Sequence, residues 1–137
     1  MEFRYFINNK WAKDEAYRIM EAVEFVAKYY KLKTGVTTVK LITVDEVEAT
    51  ADRLKNNRFE IRLVKTKLKT DDEVLRAVFH EMTHIKQFMF DGLRLAGQAT
   101  KWKTETFNSN TEYWFTPWEM EARAMEEPLL YLFNLEH

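Results

Sequence analysis

The stretch from Thr70 to His84, TDDEVLRAVFHEMTH, decides how the rest of the chain is organised. Thr70 and Glu73 have the spacing of a capping box, in which two side chains bind backbone amides that the first turn of a helix leaves without partners. We therefore predict a helix that begins after Thr70 and runs to about Phe90, where Asp91-Gly92 can end it.

The predicted helix has one apolar face and one face that carries two histidines. On an ideal helix of about 3.6 residues per turn, its large apolar residues fall within a sector of about 80°. These residues are Leu75, Val78, Met82, Ile85 and Met89. His80 and His84 lie roughly opposite them, about 40° apart, so that both side chains point to one place. Ala77 is small and leaves room there. The helix can therefore pack on a core while its histidines face a cleft.

The spacing of His80 and His84 is that of two ligands for one zinc ion. Neutral imidazoles on adjacent helical turns can each give one nitrogen to a single Zn²⁺ at about 2.0–2.1 Å. Glu81 lies about 100° from His80, beside these ligands. There its carboxylate can take a proton from a water whose pKa zinc lowers towards about 7. We predict two zinc ligands and a general base; the alternative is a pair of partly buried, hydrogen-bonded histidines without a metal.

A third ligand has to come from elsewhere, and the best candidates are two glutamates. The remaining histidine, His137, is the last residue, where we expect a frayed terminus. A carboxylate would complete the His₂Glu set of catalytic zinc sites. Pro117 suits the first turn of a last helix, which places Glu119 and Glu121 near the start of that helix. Spacing alone does not decide between them, and the helix dipole also favours acidic residues at this position.

The flanking sequence predicts two more helices. Helical periodicity predicts a helix over residues 14–32, which Gly35 can end. The last helix should run from Pro117 to about residue 132. Pro128 is expected to kink or interrupt it, because the proline ring removes a backbone donor.

Strands are predicted mainly between the first two helices. β-Branched residues favour a strand over 36–44, and alternation of apolar and charged residues favours another over 58–66. The polar residues 48–54 form a strand before a turn at Asn56-Asn57, or else a short helical segment.

After the histidine-bearing helix, residues 93–110 have no helical period, and 100–107 can form a strand or a hairpin arm. The order of elements predicts an α+β domain that spans residues 1–137, with segregated helices and strands.

The two motifs together resemble those of gluzincins. His80-Glu81-x-x-His84 is followed some 35 residues later by Glu119-x-Glu121-Ala122, and this is similar to HExxH with a downstream helical ExxA or ExxxD. The likeness is closest to small ImmA/IrrE-type and SprT-like zincins and to uncharacterised phage metallopeptidase domains with a P-W-E-x-E-A segment. It covers roughly residues 59–127 and is strong at these two motifs.

The resemblance implies a minimal zincin-like fold, in which a small antiparallel or mixed sheet packs on three helices. It implies that Glu119 is the third zinc ligand and that Ala122 lets two helices approach closely. It also implies a zinc-dependent metallopeptidase that hydrolyses peptide or protein substrates. The alternative is a zincin-like module that binds metal or a partner without turnover.

Two features depart from the family pattern. The Asp or Asn four residues after the ligand, which supports a zinc-bound histidine, is Arg123 in this chain. SprT-like members often use a histidine as third ligand, and no suitable histidine is present.

Three weaker expectations concern the surroundings of the site. In zincins the strand before the active-site helix edges the cleft, where an extended substrate can pair with it. Residues 58–66 would either do this or use their basic side chains to protect a sheet edge. Tyr113 either stabilises an oxyanion or packs in the core. Trp102 and Phe107 are expected to be packing residues.

Composition and charge exclude several classes of protein. The 137 residues include no cysteine, which excludes disulfides, thiolate metal sites and a cysteine nucleophile. The apolar runs are far shorter than the roughly 20 residues that span a bilayer, and the first residues lack a signal-peptide pattern. We therefore expect a cytoplasmic protein of a bacterial or phage-infected host cell. A net charge of −1 gives no clear signal for nucleic-acid binding, and the oligomeric state is not predicted.

Overall fold

The computed structural model describes residues 1–108 and 112–137, which contain three α-helices and seven strands. In chain order they are β1 (Glu2–Ile7), α1 (Lys13–Tyr29), β2 (Val36–Ile42), β3 (Ala49–Leu54), β4 (Arg58–Val64), α2 (Asp71–Phe90), β5 (Arg94–Ala96), β6 (Ala99–Trp102), β7 (Glu105–Phe107) and α3 (Pro117–Glu136). A short 3₁₀ turn, Tyr113–Phe115, precedes α3. The chain is therefore an α+β protein, as predicted.

The larger sheet has the strand order β1-β2-β4-β3 and is mixed. β1, β2 and β4 are parallel, and β3 is antiparallel to β4. α1 provides the crossover that two adjacent parallel strands such as β1 and β2 require. β1 was not predicted, because its last two residues, Phe6 and Ile7, are both apolar and exposed and so break the alternation of a half-buried strand.

One face of this sheet shares a hydrophobic core with all three helices. The sheet contributes Val39, Leu41, Phe59, Ile61 and Leu63, each at most 2% exposed. On α2, the residues of the predicted apolar sector Leu75, Val78, Met82 and Ile85 are all at most 1% exposed. Burial of such a side chain contributes about 1.5–3 kcal/mol. The apolar face of α2 is therefore fixed in the core by its packing against α1 and the sheet.

The two ends of α2 follow the sequence signals closely. The Thr70 hydroxyl accepts a hydrogen bond from the Glu73 amide at 3.1 Å. The Glu73 carboxylate accepts from the Lys69 amide at 3.0 Å, one residue earlier than a capping box requires. The helix ends at Phe90, and Gly92 has a φ of +67°, which an L-residue rarely adopts.

The end of α1 differs from the prediction. The helix stops at Tyr29, and Lys31 adopts a left-handed φ of 58° that turns the chain out of the helix. Gly35, with a φ of +89°, belongs instead to the turn before β2. A Cβ at this position would lie 2.7 Å from the carbonyl oxygen of Asn57, so the glycine permits a close backbone contact rather than a helix stop.

The expectation that residues 58–66 edge the sheet is wrong. Their strand, β4, lies between β2 and β3, so its basic side chains protect no edge and its backbone is already paired on both sides. Residues 48–54 supply the edge strand β3, not a helical segment, and the turn that joins β3 to β4 has left-handed φ values at Asn56 and Asn57, as predicted. Pairing order is a tertiary property that alternation within one strand does not specify.

The segment between α2 and α3 carries a second, three-stranded antiparallel sheet in the order β5-β6-β7. The prediction of a strand or hairpin arm within residues 100–107 is confirmed by β6 and β7, whose turn includes Lys103 at a φ of 56°. The last part of the predicted irregular segment 93–110 lies outside the described residues. Among the helices that the structure describes, none is long and apolar enough to cross a membrane.

α3 continues through Pro128 to Glu136, beyond the predicted end at about residue 132, so of the two expected effects of Pro128 the interruption is wrong. A proline inside a helix costs about 3 kcal/mol relative to alanine, because it removes one hydrogen bond and its ring crowds the carbonyl four residues earlier. The buried side chains that follow it, Leu129, Leu130 and Phe133, hold the second half of the helix in the core in spite of this cost.

We predict that Pro128→Ala stabilises the protein. Pro128 is exposed, so the substitution loses no core contact, while it restores an amide that can bond to the carbonyl of Ala124. The free energy of unfolding should rise by about 1–3 kcal/mol, measured by urea denaturation of the metal-free protein. An unchanged or lower value would contradict the prediction.

Candidate metal centre

The candidate site lies where α3 crosses α2. Glu119, Ala122 and Glu126 fall at helical spacing on one face of α3, and both glutamates contact side chains of α2. Ala122 is fully buried between them. A small side chain at this position allows the close approach of the two helices that a short glutamate side chain needs in order to reach across.

Glu119 lies between the two histidines of α2. Its Oε1 is 3.0 Å from Nε2 of His80, and its Oε2 is 2.9 Å from Nε2 of His84. The three side chains offer one donor atom each within 4.8 Å of one another, and Glu119 is only 2% exposed. The structure therefore brings together a buried group of two imidazoles and one carboxylate that could hold a metal ion.

The other candidate for the third ligand points away from this group. The Glu121 carboxylate accepts hydrogen bonds from Nζ of Lys86 at 3.2 Å and from Nε2 of Gln87 at 2.9 Å. Glu121 is two residues after Glu119, about 200° around the helix, so both cannot face the histidines. Of the two glutamates that the sequence left open, Glu119 is the one that the structure places beside His80 and His84.

The far nitrogen of each histidine ring also has a partner. Nδ1 of His80 lies 2.8 Å from Oε2 of Glu126, and Nδ1 of His84 lies 2.7 Å from Oε1 of Gln87. Both partners accept, so each Nδ1 carries a proton and each Nε2 is the nitrogen that can bind a cation. Such contacts fix the orientation and the tautomer of histidines that bind metals.

The orientation of the Gln87 amide is itself determined by its neighbours. Its Nε2 donates to the backbone carbonyl of Trp118 at 2.9 Å and to Glu121. The amide oxygen is therefore the atom that remains to face His84, and the chain of contacts runs from the start of α3 back to the histidine. Glu121 thus contributes to the site indirectly, through the side chain that holds His84.

Gln87 and Glu126 were both missed in the sequence. Gln87 stands three residues after His84, and Glu126 seven after Glu119, so each lies on the helix face of the residue it follows. That spacing is the signal that could have indicated them. Glu126 also supplies a contact to a histidine that, in the family pattern, comes from the position of Arg123.

Burial and hydrogen bonding shift the pKa values of the metal-free group in opposite directions. Burial acts to lower the pKa of His80, but the hydrogen bonds to Glu119 and Glu126 outweigh it and raise the pKa to about 10. Burial acts to raise the pKa of Glu119, but the hydrogen bonds from both histidines hold that pKa well below its usual range. In the metal-free group the negative charge of the Glu119 carboxylate is therefore balanced by protons on the histidines, and a metal cation can replace those protons.

Glu81 lies beside this group, and its pKa is shifted in the opposite direction to that of Glu119. It is 7% exposed, and burial raises its pKa to about 7, while the charges of His84 and His80 act in the opposite direction. A carboxyl with this pKa can both take up and release a proton near neutral pH.

The group opens into a cleft of about 1040 Å³. One wall is the edge strand β3, which contributes residues 49–52, and the others are α2, the segment around β5 and the start of α3. Tyr113 is 59% exposed, so the expectation that it packs in the core is wrong. Its hydroxyl donates to Oε1 of Glu119 at 2.9 Å, at the border of the group.

Trp102 and Phe107 behave as the packing residues that were predicted. Trp102 is 7% exposed, and its ring centroid lies 6.3 Å from that of Trp118. The Phe107 ring packs edge to face against the Trp118 ring, with the ring centroids 5.3 Å apart. The second sheet thus supports the residue that precedes Glu119.

No protein-family model matches the chain, and no curated protein or solved structure is significantly similar to it. The resemblance to zincins consequently rests on the two sequence motifs alone.

We predict that Glu119→Ala weakens zinc binding at least about tenfold, because a pair of histidines lacks the charge and the third donor of a His₂Glu set. The comparison variant is Glu121→Ala, which should lower the affinity far less, because Glu121 acts only through Gln87, whose amide also donates to the carbonyl of Trp118. Both constants can be measured by competition with a chromophoric chelator. If Glu121→Ala lost zinc and Glu119→Ala kept it, the assignment would be wrong.

A separate prediction concerns the support of His80. Glu126→Ala should lower the zinc affinity about 10- to 100-fold, since His80 would lose the acceptor that orients its ring. Glu127→Ala, at the next position, removes an exposed carboxylate that pairs with Arg76 and should have no such effect. Equal affinities of the two variants in the same titration would show that Glu126 does not support the site.

Proposed function

We propose that the protein is a zinc-dependent metallopeptidase, with His80, His84 and Glu119 as ligands and Glu81 as general base. The observation that carries the proposal is the convergence of one carboxylate and two Nε2 atoms within 4.8 Å, inside a cleft that Glu81 also lines. Two histidines and a glutamate are the protein ligands of catalytic zinc in several peptidases, and they leave a coordination position for substrate or water.

The donor set fits zinc on chemical grounds. Nitrogen and carboxylate oxygen donors are among those that Zn²⁺ prefers, and no cysteine is needed. Both Nδ1–H groups are held by Glu126 and Gln87, so the two Nε2 atoms are already directed at one place before any ion binds.

The reaction divides its tasks among the residues of the site. Bound zinc would polarise the scissile carbonyl and lower the pKa of the attacking water. Glu81, which lines the same cleft, takes a proton from that water on its carboxylate and later gives it to the leaving amine. The Tyr113 hydroxyl, which the metal-free site directs at Glu119, can donate to the oxyanion that forms on the substrate.

The shape of the cleft supports a peptide as substrate. Among the described residues, β3 pairs with β4 on one side only, and residues 49–52 of this strand line the cleft. The free backbone amides and carbonyls of an edge strand can pair with an extended peptide. A chain bound in this way would lie along the face of α2 that carries His80, Glu81 and His84.

We predict that Glu81→Gln retains zinc at the stoichiometry of the wild type and loses hydrolysis by about 10²- to 10⁴-fold, the usual contribution of general acid–base catalysis. Cleavage of a mixed peptide library by the zinc-loaded protein can be followed by mass spectrometry, and zinc content by metal analysis. Glu136→Gln, on the exposed end of α3, is the control for a changed charge.

The outcomes separate the proposal from its alternative. Cleavage that a chelator removes and added zinc restores would support a metallopeptidase. Full activity of Glu81→Gln would refute the assignment of the base. Stoichiometric zinc binding by the wild type with no cleaved peptide would favour a metal-binding or partner-binding module without turnover.

A further inference from the structure

The cleft has different walls on the two sides of the histidines. Beyond His84, towards the end of α2, it is lined by a set of large apolar residues that we name the apolar wall: Phe88, Leu93, Leu95 and Trp118. Before His80, towards the start of α2, the lining residues include Glu73, Arg76 and Glu126. Large apolar side chains therefore predominate on one side of the candidate metal centre, where Arg94 between Leu93 and Leu95 also lines the cleft, and the other side is charged.

The members of the apolar wall are tied to the same turn of α2. Phe88 follows His84 by four residues and so lies next to it on the same helix face. The Leu93 amide donates to the carbonyl of Gln87 at 3.2 Å. The carbonyl of Trp118 accepts from the Gln87 side chain at 2.9 Å. These contacts place the wall directly beside the residue that orients His84.

The aromatic rings of the wall are held from behind. The Phe88 ring stacks on Phe59 of the central strand β4, with ring centroids 6.3 Å apart and an angle of 6° between the planes. Trp118 is packed against Trp102 and Phe107 of the second sheet. The wall is thus formed by the fold itself and does not require a ligand to assemble it.

Leu95 completes the wall in an unusual position. It lies in β5, where its backbone pairs with Thr100 of β6, and its side chain is 82% exposed at the cleft. An apolar side chain that joins other apolar residues at the rim of a cleft indicates a contact surface rather than chance exposure. A ligand that covered Leu95 would remove this surface from water, at about 25 cal/mol per Å².

The opposite side of the cleft is unsuited to an apolar group. Arg76 pairs with Glu127, and Glu126 holds Nδ1 of His80. An apolar side chain placed there would take these charged groups out of water without offering them a hydrogen bond, which is costly.

We propose that the apolar wall is a subsite for one large apolar side chain of the substrate, of the size of leucine or phenylalanine, adjacent to the bond that is cleaved. This inference rests on the proposed peptidase function and adds a substrate class to it. The residue on the other side of the cleaved bond faces the charged part of the cleft and is not selected for apolar character.

The test uses the zinc-loaded protein and a peptide library in which every product is identified. The wild type should enrich leucine, phenylalanine or methionine at one position next to the cleaved bond. Leu95→Lys should reduce kcat/KM for such a peptide about 10- to 100-fold, the range over which an apolar pocket discriminates. It should increase the relative cleavage of peptides with aspartate or glutamate at that position.

The matched control is Leu135→Lys, which introduces the same charge in place of a leucine that is 65% exposed on α3 and does not line the cleft. Both leucines are exposed, so neither substitution opens a cavity. The control should keep the specificity of the wild type, and both variants should keep its zinc affinity. Cleavage without enrichment at either neighbouring position, or an unchanged preference of Leu95→Lys, would overturn the inference while the peptidase function stood.

A binding measurement tests the subsite even if no peptide is cleaved. Leucine hydroxamate and aspartate hydroxamate carry the same zinc-binding group and differ in the side chain that can reach the wall. The subsite requires at least tenfold tighter binding of the leucine compound by the zinc-loaded wild type, and loss of that difference in Leu95→Lys. Equal affinities for the wild type would exclude an apolar subsite, whatever the outcome for hydrolysis.

Discussion

The contact of Glu119 with two imidazoles depends on how closely α3 packs on α2. A glutamate side chain is short, so its carboxylate reaches Nε2 of both His80 and His84 only where the two backbones approach. The fully buried Ala122 is the residue of α3 that permits this approach one turn later. Core packing of the second half of α3, around Phe133, then holds the crossing in place.

The same crossing also organises the residues behind the histidines. Glu126 is brought to His80, and the carbonyl of Trp118 and the carboxylate of Glu121 orient the amide of Gln87 towards His84. Nδ1 of His80 is held by a side chain of α3, and Nδ1 of His84 is held by a side chain of α2 that α3 orients. Together with Glu119, which joins the two histidines, six side chains from two helices thus form one network whose polar groups satisfy one another. A change in the helix crossing would therefore disturb the ligands and their supports together.

Strand order has an equally direct consequence for the cleft. Because β4 is interior, its polypeptide backbone is fully used within the sheet, and the free edge belongs to β3. The edge next to the cleft is therefore supplied by residues 49–52, which sequence alternation marked only weakly. The second sheet closes the cleft beyond His84 and supports Trp118 through Trp102 and Phe107. The cleft consequently has an edge strand with unpaired backbone groups in one wall, and large apolar side chains at the end beyond His84.

The sequence by itself determined the features that depend on local periodicity. Neighbouring residues were enough to predict the start and end of α2, its apolar face and the common direction of His80 and His84, because these features depend on residues within one or two turns of the same helix. The left-handed turn at Asn56-Asn57 was likewise predicted from its own two residues. Only the tertiary structure decided between Glu119 and Glu121, recruited Gln87 and Glu126, placed β4 inside the sheet and carried α3 through Pro128. These outcomes depend on which distant surfaces meet, since the free energy of packing between elements exceeds local preferences of a few kcal/mol and leaves no periodic signal in the chain.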